Sequence, residues 1–155
     1  SRLEKQGPIH FVMVGDGPQF EKAKKIVGES EIMNGSVHLV GFSSEVDSYL
    51  RNFDCFLLTS KVEGLPNAII EAQSCGVPVV ATNVGGSREC FVEGETGLLA
   101  MNGTPEEIGM LLTEVLTNKK FRKKASAVAP KFVDVKFGQK TYANNINNLY
   151  SGKVT

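Results

Sequence analysis

Short apolar runs alternate along this chain with segments whose apolar residues recur at helical spacing. Pro8-Ile-His-Phe-Val-Met-Val-Gly15 is the first run and ends in the turn Gly15-Asp16-Gly17-Pro18. Phe20, Ala23 and Val27 share one face of a helix predicted over 20–27. Ser36 to Phe42 reads as a second strand. Ser43-Ser44-Glu45-Val46 then starts a helix, with Val46, Tyr49, Leu50 and Phe53 turned inward. Asp54 to Ser60 predicts a third strand, Asn67 to Ser74 a helix closed by Gly76, and Val77 to Thr82 a fourth strand. The fourth is almost wholly apolar, as strands of a sheet covered on both faces are. Gly85-Gly86 breaks the chain, and Thr96 to Met101 supplies a short fifth strand.

Beyond it, Thr104-Pro105-Glu106-Glu107 combines a threonine cap, proline at the first helical position and a glutamate that completes a capping box. Ile108, Leu111, Leu112, Val115 and Leu116 form the apolar stripe of that helix. Asn118 to Lys124 is a basic run on helical sequence, and a further helical segment from about Phe137 to Tyr150 closes the chain. The βαβα order predicts one α/β domain over residues 1–155, a Rossmann-like parallel sheet with helices on both faces. Ligands of such sheets bind at the carboxyl ends of the strands. The turns Gly15-Asp16-Gly17, Gly41-Phe42 and Glu63-Gly64 fall there.

Composition narrows the choice of partner. Lys plus Arg and Asp plus Glu balance at 17 each over 155 residues, which argues against nucleic acid, whose binders carry a basic footprint. No apolar stretch approaches a membrane span and no signal peptide is visible. Cys55, Cys75 and Cys90 lack close pairs and fit buried free thiols better than a disulfide framework or zinc site, so a reducing, cytoplasmic compartment is expected. His10 and His38 each lie in an apolar strand with no ligand at metal spacing, so each is read as satisfied by a neighbour. No metal site is expected. The basic run reads as a solvated face, with weak attraction to an anionic membrane surface as the alternative.

The chemistry concentrates in Glu63-Gly-Leu-Pro-Asn-Ala-Ile-Ile-Glu71. Two carboxylates stand eight residues apart, around a turn that opens a helix. A helix N-terminus favours anions. A carboxylate on either side only accepts hydrogen bonds. Phosphate in the middle with hydroxyls at both ends is the layout of a nucleotide-sugar. Gly15-x-Gly17 is weaker: Phe20 stands where a dinucleotide fingerprint needs its third glycine, and no acidic residue follows at ribose distance. It fits a tight turn as readily as a close approach to phosphate.

Four segments in order, with a fifth behind them, carry a resemblance. They are Val12-Met-Val-Gly-Asp-Gly-Pro18, Val37-His-Leu-Val-Gly-Phe42, Ser60-Lys-Val-Glu-Gly-Leu-Pro-Asn-Ala-Ile-Ile-Glu-Ala72 and Gly76-Val-Pro-Val-Val-Ala-Thr-Asn-Val-Gly-Gly-Ser-Arg-Glu89, followed by Gly94-Glu-Thr-Gly-Leu-Leu99. Together they resemble the C-terminal, donor-binding domain of GT-B glycosyltransferases, in particular the retaining family 4 (group 1). The resemblance runs from about Ile9 to Leu116 and more loosely to Tyr150.

It implies that Glu71 takes the ribose hydroxyls of a nucleotide-diphosphate sugar and that Glu63 faces the donor sugar as the catalytic carboxylate. Gly64, Leu65, Pro66 and Asn67 would lie against sugar and phosphate, Gly15 and Gly17 against the diphosphate, and Gly41 and Phe42 beside the base. Gly85 and Gly86 look structural. No cofactor or obligatory metal is implied. A sugar, lipid-linked or polysaccharide acceptor would be read by an N-terminal domain absent from this chain, as in glycan, lipopolysaccharide or glycolipid synthesis, with peripheral contact at the inner membrane face. The family's arginine and lysine for the leaving diphosphate belong to an earlier strand-helix unit. Arg2 and Lys5 read as the tail of that unit's helix, so the pair and the first strand are expected to be missing and the fragment inert. A nucleotide-sugar epimerase or phosphorylase, or a non-catalytic binding module of the same fold, are the rivals.

Overall fold

A computed structural model describes residues 7–151. The reading of Arg2 and Lys5 lies outside the described residues. The chain forms two compact units, Ser1–Tyr49 and Leu50–Thr155.

In the first unit, β1 (Phe11–Val14) pairs in parallel with β2 (Val37–Gly41), joined by α1 (Phe20–Glu29). The register puts Val12 opposite His38 and shifts between Met13 and Val14, so Val14 faces Gly41. That irregularity brings the two strand ends together: the Gly15 N–H donates to the Gly41 carbonyl at 2.8 Å. The short helix α2 (Val46–Leu50) runs across the boundary into the second unit. No residue between Gly7 and Tyr49 is fully buried.

In the second unit the strand order is β3-β4-β5, all parallel, with β3 Phe56–Leu58, β4 Val79–Thr82 and β5 Gly97–Ala100. Every residue of β4 is buried, so both faces of the central strand are covered. Helix α3 (Asn67–Ser74) contacts β3 and β4, while α4 (Pro105–Thr117) contacts β4 and β5. Ile69, Ala72, Val79, Val80, Ala81, Ala100 and Val115 are fully excluded from solvent and form the core. Each large aliphatic side chain among them contributes about 2 kcal/mol through burial. The parallel strands and flanking helices agree with the fold class read from the sequence.

The N-terminus of α4 differs in detail from the expected capping box. Thr104 Oγ1 does accept from the Glu107 N–H at 3.3 Å. The Glu107 carboxylate, however, reaches past the cap and accepts from the N–H groups of Met101, Asn102 and Gly103, each at 2.9 Å. It thereby ties the end of β5 to the helix start.

After α4 come two helices, and the first runs well beyond the basic stretch read as helical. They are α5 (Lys119–Phe137) and α6 (Gln139–Tyr150), parted at Gly138. Asn118 caps α5 by accepting from the Phe121 N–H at 3.0 Å. Pro130 lies within α5 without ending it. Arg122 of the basic run donates to the carbonyls of Val115 and Leu116 at the end of α4, and its guanidinium lies 3.6 Å from Asp54. Lys124 pairs with Glu95 at 3.3 Å. Part of that run is therefore structural, joining α5 to the rest of the unit. Among the described residues, no helix is long and apolar enough to cross a membrane.

Candidate active site

In the second unit, β3 delivers the chain to Ser60 and the loop that follows carries Glu63, Gly64, Leu65, Pro66 and Asn67 to the start of α3. Pro66 is the N-cap, with extended backbone and a buried ring, and no side chain caps the helix. An uncapped start leaves backbone N–H groups for an anion. Glu63 is half-buried beside that start and Glu71 is exposed four residues into α3, about 6 Å along the axis. The Ser60 hydroxyl donates to Glu63 Oε1 at 2.6 Å. Six of the sequence-predicted residues thus sit on one loop and the first turns of one helix.

The loop is held from the side by the end of β4. Thr82 Oγ1 donates to the Ser60 carbonyl at 2.7 Å, and the Gly86 N–H donates to the Gly64 carbonyl at 2.6 Å. A Cβ on Gly85 would stand 1.8 Å from the Glu63 carbonyl oxygen, and one on Gly86 would stand 2.7 Å from that of Gly64. Gly85 also has φ +49°. Any larger residue at 85 would drive the Glu63 backbone away. Behind the pair, a single 3-10 turn at Ser87–Cys90 buries Cys90, whose Sγ lies 3.4 Å from the Gly86 carbonyl. Burial pushes the Cys90 thiol up to about 11; Lys136 pulls it back, while the charges of Glu89 and Glu63 add to the rise. Lys136 itself donates to the Glu89 carbonyl at 2.8 Å.

The first unit carries the other four predicted residues. Gly15 and Gly17 follow β1 with φ +142° and +157°, and open space lies where a Cβ would project from either. Asp16 Oδ1 accepts from the Gly17 N–H at 2.6 Å, which closes the turn on itself. Gly41 ends β2 with φ +79°, and Phe42 beside it is 82% exposed. A strand-end glycine turn next to an uncovered aromatic ring is able to meet a phosphate and a planar base.

Sequence reasoning did not single out Ser60 and Thr82 as supports of this loop, and it read the double glycine as structural without showing what it packs against. The signal for Ser60 was its place three residues before Glu63; for Thr82 and Gly85–Gly86 there was none, since their contacts join loops about twenty residues apart. His10 and His38 serve one another, Nδ1 to Nε2 at 3.0 Å. A groove of about 750 Å³ between α5 and α6, lined by Val92, Val128, Phe132, Val135 and Thr141, contains none of the predicted residues.

A family model described as "Glycosyl transferases group 1" matches residues 1–132. The Vi polysaccharide biosynthesis protein VipC/TviE of Salmonella typhi is 42% identical over 97 residues, which are 63% of this chain and 17% of that protein. The 2-deoxystreptamine N-acetyl-D-glucosaminyltransferase of Niallia circulans is 33% identical over 152 residues, 97% of this chain and 39% of that one. Among solved structures, the lipopolysaccharide outer core galactosyltransferase WaaB superposes with TM-score 0.80 at 24% identity, over 99% of this chain and 44% of that one. Anabaena Alr3699/HepE in complex with UDP-glucose gives 0.70 at 23% identity, over 95% and 43%. These two likenesses show the fold. The chain spans less than half the length of each of the four proteins. With most of its length matched by the family model, this chain belongs to the group 1 glycosyltransferases.

Proposed function

We propose that this chain is the C-terminal, donor-binding half of a retaining family 4 glycosyltransferase, acting as one nucleotide-sugar domain. The observation that carries the reading is the loop and helix from Glu63 to Glu71: an uncapped helix start flanked by two carboxylates. Glu71 accepts from the ribose hydroxyls, and the N–H groups of Gly64, Leu65 and Asn67 face the sugar and phosphates, Pro66 having none to give. Gly15 and Gly17 let the backbone close on the diphosphate, and Gly41 and Phe42 flank the base. UDP-glucose in the HepE structure, of like fold, supports a nucleoside diphosphate as the shared ligand class.

In the transfer, negative charge grows on the leaving diphosphate while positive charge grows at the anomeric carbon. The start of α3 meets the first with fixed dipoles, and the Glu63 carboxylate meets the second; both are in place before reaction, which is where such groups act most strongly. The acceptor is read by residues beyond this chain; the names of VipC/TviE and WaaB support a polysaccharide or lipid-linked acceptor, and that of the 2-deoxystreptamine transferase a small one. Without those residues, the chain binds donor and does not transfer sugar.

Calorimetric titration with UDP, GDP and ADP tests this reading. One nucleotide is expected to bind, and Glu71→Ala to weaken it by about tenfold or more, the size of a lost charge-assisted hydrogen bond. Absence of binding by the folded chain, or sugar transfer by it alone, would contradict the proposal.

A further inference from the structure

Glu63 does not stand free on its loop. Its Oε1 accepts from the Ser60 hydroxyl at 2.6 Å, and the Ser60 carbonyl accepts from Thr82 Oγ1 at 2.7 Å. Thr82 is the last residue of β4, 7% exposed and anchored in the central strand. A continuous path of two hydrogen bonds thus leads from the most buried strand of the unit to the carboxylate placed at the donor sugar. The backbone on either side is fixed by the Gly86 N–H on the Gly64 carbonyl and by the close approach of Gly85 to Glu63. A glutamate has three side-chain torsions, and one accepted hydrogen bond removes most of their freedom when its donor is itself immobile.

We propose that Ser60 and Thr82 are positioning residues: Ser60 selects the Glu63 rotamer, and Thr82 fixes Ser60. The hydroxyl bond occupies one lobe of Oε1 and leaves Oε2 as the oxygen that faces the sugar. This deepens the donor-site reading. It rests on that reading for its effect on ligand, but not for its effect on the Glu63 side chain.

The test has two arms on the 155-residue chain. Side-chain couplings measured by NMR report the Glu63 rotamer without any ligand. A single rotamer is expected in the wild type and in Ser60→Thr, and averaging over several in Ser60→Ala. Thr82→Val, which keeps shape and removes the hydroxyl, is expected to give a smaller change in the same direction. In the second arm, UDP, GDP and ADP are titrated beside their glucose conjugates. Ser60→Ala is expected to weaken the glucose conjugate by about tenfold relative to the bare nucleotide, with recovery in Ser60→Thr. Thermal unfolding of each variant verifies that it is folded. An unchanged Glu63 rotamer in Ser60→Ala overturns the proposal, as does equal weakening of bare nucleotide and conjugate. If the wild type binds no nucleotide, the donor-site reading falls and the rotamer arm still decides the role of Ser60.

Discussion

The loop after β3 and the glycine turn after β1, each proposed to meet donor groups, are held in different ways. The first is pinned by its neighbours: Thr82, Gly85 and Gly86 press on its backbone, and Ser60 holds its glutamate. The second is pinned mainly by itself, through Asp16 on the Gly17 N–H and Gly15 on the Gly41 carbonyl, with nothing packed where a side chain would project. The contrast follows the cores beneath them, since β4 is wholly buried and no described residue of the first unit is fully buried. A carboxylate that must meet developing charge gains from a fixed position. A backbone turn that wraps a diphosphate needs open space and glycine more than it needs support.

Paired substitutions sharpen that comparison. Gly85→Ala forces a Cβ into the Glu63 carbonyl and is expected to lower stability by about 3 kcal/mol or more, in the range of severe steric lesions. Gly17→Ala meets no atom and suffers only its backbone angle, about 1–2 kcal/mol. Urea midpoints of the two variants measure the gap, and equal midpoints would break the contrast. Glu107→Gln weakens bonds from the N–H groups of Met101, Asn102 and Gly103 and should cost about 2 kcal/mol. Glu21→Gln on α1, whose exposed pair with Lys24 lies at 3.2 Å, should leave the midpoint unchanged.

The thiols of the second unit give it a pH signature. Burial pushes Cys55 from 9.0 up to about 12, against a smaller opposing pull from its backbone bond to Val80. The folded state therefore keeps a proton that the unfolded chain loses. Stability is intact below pH 9.0 and falls as pH rises toward about 12, by up to about 1.4 kcal/mol per unit from this group. Unfolding free energies at pH 8 and 10.5 should show the decline, and Cys55→Ala should remove this group's part of it. Phe42→Ala is expected to change stability little, within about 0.5 kcal/mol for an exposed ring. Nucleotide affinity should nevertheless fall by about fivefold if the base stacks there. Loss of stability without loss of affinity would move the base elsewhere.

Much of this arrangement is legible in the sequence. Asn67 to Ser74 was read to the residue, because a proline-asparagine start and a glycine stop bracket it. Strand β4 announces itself through unbroken apolar residues, and the Glu63…Glu71 spacing singles out the loop proposed to bind the donor. Helix α5 did not show its full length: its lysines mask the apolar stripe, and Pro130 argues against a helix interior that tertiary packing nonetheless sustains. The reach of Glu107 beyond its cap was hidden because its partners lie in the preceding loop. The support of Glu63 was hidden for a deeper reason. Ser60 and Thr82 are 22 residues apart, and only the pairing of β3 with β4 brings their strand ends together.

The central claim is that the loop and helix from Glu63 to Glu71 hold the donor. Backbone amide shifts recorded while the chain is titrated with a nucleotide-diphosphate sugar test it most directly. Perturbations gathered at residues 63–71 are the predicted result. Perturbations that spare residues 63–71, or that centre on the groove between α5 and α6, would contradict it.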